Sequence, residues 1–149
     1  MASMAVQYEG YVSTVEFPFV VGRHARGEGK ALIDALVEAE AVGLEHLKPG
    51  EPQRELVRAV RDSFRTKSLG KYDVYPPLHG CGLAEAESPY PDENTQAVFQ
   101  PGMTVNTDIS LFGLPVGANR IEEGFVITET GAESMSPLVR GLTRQWLAS

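Results

Sequence analysis

Cysteine is nearly absent from this chain, and the single one, Cys81, excludes an internal disulfide and fits a reducing compartment. Positive charge is also scarce. Thirteen Lys and Arg stand against twenty Asp and Glu, leaving a net charge of −7, and the cations gather in no stripe, which argues against a nucleic-acid partner. No apolar run reaches the length of a membrane span, and no charged-then-apolar segment opens the sequence, so no membrane partner is expected. Repeats at solenoid spacing and low-complexity tracts are lacking too. With 149 residues, 42% hydrophobic and 22% charged, the composition suits one globular domain over residues 1–149, large enough for a core and small for two. The expected location is the cytoplasm. Met1-Ala2-Ser3 ahead of a second methionine, Met4, reads as cloning residues.

What is present is patterned. Residues 8–22 are rich in β-branched and aromatic side chains, which predicts one or two strands, with Pro18 favouring an edge or a bulge. Residues 30–47 turn helical: Leu32, Leu36, Ala39 and Gly43 share one side, with Ile33, Val37 and Leu44 beside them. Lys48-Pro49-Gly50 ends that helix, and Pro52 suits the first turn of a second, whose stripe is Leu56, Val57, Val60 and Phe64. Strand signals return at 75–83, 97–99, 104–112 and 120–128. Residues 85–95 predict a long polar loop, and residues 137–147 a short closing helix anchored by Trp146. The layout is α+β, with helices packed on one face of a mainly antiparallel sheet.

Three segments carry the chemistry. His79-Gly80-Cys81-Gly82-Leu83 puts a histidine on a glycine-flanked strand. Asp108 and Glu122 then stand on two later strands. Alternate side chains of a strand share a face, so each strand can supply one inward group to a common pit. Imidazole with two carboxylates suffices for acid–base work or for a divalent metal. Glu122 and Glu123 are adjacent and must face opposite sides, so one points inward. Arg120, two residues from Glu122, shares its face and is a suitable partner for Asp108, whose strand is otherwise uncharged. Cys81 reads as a small buried filler, His24 as a surface residue, and His46 as an imidazole at a helix C-terminus.

These residues resemble the catalytic domain of the pita-bread metallopeptidases: methionine aminopeptidase, aminopeptidase P, prolidase and the related creatinase. The resemblance runs in order through Tyr8-Glu9-Gly10-Tyr11-Val12-Ser13, Leu47-Lys48-Pro49-Gly50, the His79 motif, Gly102-Met103 to Asp108, and Arg120-Ile121-Glu122-Glu123 with Gly131-Ala132-Glu133. It implies a pita-bread fold, here lacking the N-terminal part of the usual domain. It also implies five metal-ligand positions, falling on Ser3, Thr14, His79, Asp108 and Glu122. Thr14 stands where the family carries an aspartate, Ser3 is off-pattern, and a second, substrate-contacting histidine falls on Ala86, although Glu87 and Pro89 beside it match. A hydroxyl is a poor ligand for a hard dication, so ordinary two-metal peptide hydrolysis is not expected.

Three functional classes follow. In the first, patterned on creatinase, His79, Asp108 and Glu122 perform metal-independent acid–base chemistry on a small amide-, amino- or peptide-like substrate, with Glu87, Arg120 and Thr14 contacting it and no cofactor required. The second is a non-catalytic pseudo-peptidase that binds a small molecule, short peptide or partner. The third is a one-metal hydrolase or lyase with Mn, Fe or Zn on His79, Asp108 and Glu122. Because the missing part of the domain leaves a sheet edge uncovered, a homodimer is expected to complete the fold.

Overall fold

A computed structural model describes residues 1–22 and 24–145. Strands β1 (Ala2–Tyr8) and β2 (Tyr11–Phe17) form a hairpin, followed by helices α1 (Gly27–Leu44) and α2 (Gln53–Thr66). Then come β3 (Leu78–Gly80), β4 (Thr104–Leu114), β5 (Gly117–Ile127), β6 (Ala132–Ser134) and helix α3 (Pro137–Arg144). The sheet runs β1-β2-β5-β4-β3, with β6 also on β5, and each pairing is antiparallel.

Strand alternation divides the sheet into two unlike faces. Val105, Ile109 and Leu111 of β4 and Ile121, Phe125 and Ile127 of β5 turn one way, into a core with Leu32, Leu36, Leu56, Val60 and Phe64 of α1 and α2. The helices cross closely because Gly43 has no side chain: a Cβ there would stand 2.8 Å from Val60 Cγ2. Asn106, Asp108, Ser110, Arg120 and Glu122 turn the other way and make the polar face.

Residues 2–8 form a strand, although the sequence reading began its strands at residue 8 and took Met1-Ala2-Ser3 for cloning residues. Their pattern is weak because nearly every side chain of β1 is exposed. The strand exists through its pairing with β2, across a two-residue turn at Glu9-Gly10 where both φ angles are positive (49° and 90°), the backbone of a type I′ hairpin. The strand expected over 75–83 shrinks to Leu78–Gly80, since Pro76 and Pro77 offer no N–H to a ladder. At 97–99 there is a single bridge, Pro52 to Val98. The expectation for Trp146 lies outside the described residues. Among those residues, no helix is long and apolar enough to cross a membrane.

Glu123 points to the helix-covered side and is fully buried. Arg140 of α3 reaches it at 3.5 Å and reaches Glu40 of α1 at 3.0 Å, while the Ser134 hydroxyl donates to Glu123. One guanidinium thus serves two buried carboxylates and ties α3 to both α1 and the sheet. Burial pushes Glu40 up from 4.5 to about 7, against the pull of Arg140 and with the help of Glu123; burial also raises Glu123.

Two outcomes follow. Phe64, with no exposed surface, should cost about 3–5 kcal/mol when changed to Ala, measurable by urea denaturation. A carboxyl whose folded pKa is raised contributes stability that is full below its unfolded value and is lost as pH rises through the folded one. The thermal midpoint should therefore fall between about pH 5 and about pH 8, and Glu40→Gln should flatten that fall. An unchanged slope in the variant would contradict this assignment.

Candidate active-site pit

Register builds the site. On the polar face Ser3 of β1 lies opposite Glu16 of β2, Glu16 opposite Glu122 of β5, and Glu122 opposite Asp108 of β4. Three carboxylates therefore sit side by side on three neighbouring strands. Like charges directly opposite each other destabilise a sheet, and here all three are buried: Glu16 is 5% exposed, Asp108 6% and Glu122 1%.

Arg120, two residues along β5 from Glu122 and on the same face, supplies the countercharge. Its Nε lies 3.0 Å from Asp108 Oδ1 and 3.1 Å from Glu16 Oε2, and its Nη1 3.8 Å from Glu122 Oε2. The Nε–H is aligned with neither oxygen, so these are ion-pair contacts without linear hydrogen bonds. The Tyr75 and Phe112 rings lie 5.2 and 5.3 Å from the guanidinium carbon and limit its access to water. Burial is the main cause that pushes Asp108 up from 3.8 to about 6; Arg120 opposes it, while Glu122 and Glu16 add to it.

His79 enters from β3, opposite Asn106. Its Nε2 lies 3.4 Å from Glu122 Oε1 and its Nδ1 2.9 Å from the Gly80 carbonyl. Both ring nitrogens thus face oxygens, an arrangement that suits the imidazolium, which donates from both. Burial lowers the His79 pKa, but the Glu122 bond, the Gly80 carbonyl and the charges of Glu122 and Asp108 outweigh it, and the net shift is upward from 6.5. Asn106 Nδ2 donates to the same Glu122 oxygen at 2.8 Å and fixes that carboxylate.

The structure thus brings His79, Asp108, Glu122 and Arg120 together. Thr14 shares the polar face and is buried, its hydroxyl without a partner. Glu87 turns into its own loop, where it accepts the Ala84 N–H at 3.0 Å and bridges to Gly80 through the backbone. Ala86 is exposed. Tyr90, farther along the same loop, places its ring 6.4 Å from that of His79, while Glu93 is held away by Arg61 and Arg65 of α2. Burial pushes the Cys81 thiol up to about 11 and keeps it protonated.

Glu16, Asn106, Tyr75 and Phe112 escaped the sequence reading. Glu16 and Asn106 each lie two residues from a singled-out position, Thr14 and Asp108, so strand alternation alone could have found them. The two rings carried no such signal.

The donor set does not fit a dinuclear metal site. Of the five positions the resemblance assigns, Ser3 donates its hydroxyl to Glu16 and Thr14 offers only a hydroxyl. Arg120 already stands among the carboxylates as a countercharge, and an imidazolium has no lone pair to give. Among the described residues, no group of three or more His, Cys, Asp or Glu is arranged to hold a metal ion.

Comparison with known proteins agrees with this architecture. Residues 1–129 match the profile of metallopeptidase family M24. An uncharacterized peptidase of Bacillus subtilis, YqhT, is 31% identical over 129 residues, which is 87% of this chain and 36% of that protein. The Xaa-Pro dipeptidase of Pyrococcus furiosus is 27% identical over 135 residues, 91% of this chain and 38% of that one. Among solved structures, the prolidase from Pyrococcus furiosus superposes with a TM-score of 0.81 at 26% identity, over 89% of this chain and 39% of that one. The Xaa-Pro dipeptidase from Bacillus anthracis gives 0.80 at 28%, over 89% and 38%. The chain thus spans little more than a third of the relatives it matches. Through the sequence matched and the fold shared over that span, it belongs to metallopeptidase family M24 and carries part of that family's pita-bread fold.

Proposed function

We propose that the pit is a metal-independent acid–base site for a small amine- or amide-bearing molecule. The observation that carries this reading is Arg120. Its guanidinium stands among Glu16, Asp108 and Glu122, where it supplies the positive charge that a bound dication would otherwise bring. Three carboxylates against one guanidinium leave the pit negative, which favours a ligand with cationic or N–H-donating groups. His79 is the proton donor: Glu122 stabilises the imidazolium across the 3.4 Å Nε2 contact, and the Nε2 proton passes to a substrate atom that takes Glu122's place beside it, while the Gly80 carbonyl keeps hold of the ring at Nδ1. Asp108, pushed up to about 6, and His79, raised from its ordinary value, each act on the other's charge, so the two behave as a coupled pair. The single buried thiol suits a cytoplasmic setting.

Binding without turnover is the second reading. Glu87 favours it, because its carboxylate is spent on the Ala84 N–H.

Turnover of Xaa-Pro dipeptides and of small amines and amides, measured with and without chelator, separates the readings. The expected result is chelator-resistant turnover that His79→Ala lowers by at least about a hundredfold with the folded far-UV spectrum unchanged. Saturable binding with no turnover would favour the binding-only pit. Titration of Mn, Co and Zn gives a second check: stoichiometric metal in the wild type that is lost in His79→Ala would overturn the metal-free reading and establish a one-metal site.

The pH profile provides a third expectation. As acid, His79 must be protonated, so kcat/KM should fall as pH rises through its raised pKa. The acid limb should lie near about 6, where Asp108 ionises and completes its pair with Arg120. His79→Ala should remove the alkaline limb.

A further inference from the structure

Asn106 is fully buried in the pit, and half of its amide is unused. Nδ2 donates to Glu122 Oε1 at 2.8 Å, the oxygen that also faces His79 Nε2 at 3.4 Å. Oδ1 has no hydrogen-bond partner. Turning the amide over would not relieve this, because a flip presses Oδ1 against the carboxylate. A buried acceptor without a donor is costly and calls for a reason. We infer that Asn106 reads the substrate: Oδ1 accepts an N–H of the bound amine or amide, while an apolar group of the same molecule lies in the cavity alongside. The ligand is that of the proposed acid–base pit, and its class rests on that reading.

The space around Oδ1 is set by Gly124, which lies opposite Asn106 across β4 and β5. A Cβ at position 124 would stand 3.0 Å from Oδ1 and closer still to Met135 Cε. The missing side chain therefore leaves room beside the oxygen, and a thioether methyl, which has no proton to give, occupies it. Met135 can yield. Its side chain is unbranched with three rotatable bonds, and the residue is 37% exposed. Its backbone stays in place, because its N–H donates to the Gly124 carbonyl at 2.8 Å.

Met135 also lines a cavity of about 360 Å³, whose walls include Val12, Cys81 and Thr104. Strand alternation accounts for their company. Thr104 stands two residues before Asn106, Cys81 two after His79, and Val12 two before Thr14, so the three continue the face of the pit by one row. The Cys81 N–H donates to the Thr104 carbonyl at 3.4 Å and carries the pairing of β3 with β4 into that row. The row is apolar: Thr104 spends its hydroxyl on the Cys81 carbonyl at 2.6 Å, and Val12, Cys81 and Met135 bring no charge. The ligand that suits both places is a compact amine or amide with an aliphatic side group. A nitrogen alkylated at every position has no proton for Oδ1, although its charge suits the carboxylates equally well.

Calorimetric titration of the full chain with isoamylamine and with isoamyltrimethylammonium tests this, since the two share charge and carbon chain and differ in N–H. The wild type should bind the primary amine at least about tenfold more tightly. Asn106→Leu should cut that preference to about twofold or less by weakening the amine. Gly124→Ala crowds Oδ1 while leaving the bond to Glu122 in place, and it should weaken the amine as well. A wild type that binds the two probes alike or binds neither, a preference that survives Asn106→Leu, or an amine affinity unchanged by Gly124→Ala would each overturn the inference. If Asn106→Leu does not fold, the side-chain amide signal of Asn106 in the wild type decides by NMR. It should move with isoamylamine and stay with the trimethylated probe; equal shifts would overturn the contact. Binding is read without turnover, so the two readings fail separately. Preference for the N–H probe without turnover would sink the acid–base chemistry alone, and chelator-resistant turnover without that preference would sink the role of Asn106 alone.

Discussion

Three buried carboxylates in one cross-strand row, held by a single guanidinium, are the constraint on which the polar face depends. Glu16, Glu122 and Asp108 are opposed directly by the register of β2, β5 and β4. Without Arg120 that register would be strongly unfavourable, because charges at this burial need both a countercharge and hydrogen-bond partners. The row thus couples site and fold. The groups that make the pit chemically useful also determine whether β2 can lie against β5, since among the described residues Glu16 and Glu122 are the pair that joins the two strands.

The arrangement is echoed on the reverse side of the same strand. Glu122 and Glu123 are consecutive, face opposite ways, and are both nearly or wholly buried. Arg120 answers the first, and Arg140 answers the second together with Glu40. On each side one arginine is shared among more than one acid, and on each side an acid is pushed upward, Asp108 to about 6 and Glu40 to about 7. β5 is therefore a charged beam clamped on both faces. Protonation at either face bears on the stability of the whole sheet, while only the pit side bears on a ligand.

The legible part of this protein lay where chemistry and periodicity agree. Leu32, Leu36, Ala39 and Gly43 announced α1, Leu56 to Phe64 announced α2, and the alternation around Asp108 and Glu122 announced β4 and β5. The residues His79, Asp108, Glu122 and Arg120 stood out because polar groups in apolar strands need a reason to be there. Other parts were not legible. β1 is exposed on both sides and has no period to read, so its strand character comes from β2. Glu87 sat beside the right motif, yet the N–H of Ala84 claimed its carboxylate, and nothing in the order of residues ranks that local bond above a contact across the pit.

Residue order by itself determined which strands carry a polar group on one face and an apolar group on the other, since strand alternation is a local geometric rule. It also determined that two helices with apolar sides cover the apolar face, and, through the family resemblance, that a dication would lack a carboxylate at Ser3 and Thr14. The tertiary structure alone decided the register that sets Glu16 against Glu122 and Glu122 against Asp108, and so turned separate acids into one row. It decided that Arg120 answers three of them and that His79 presents both ring nitrogens to oxygens. Those outcomes depend on distances between residues far apart in the chain, and local propensity carries no information about such distances.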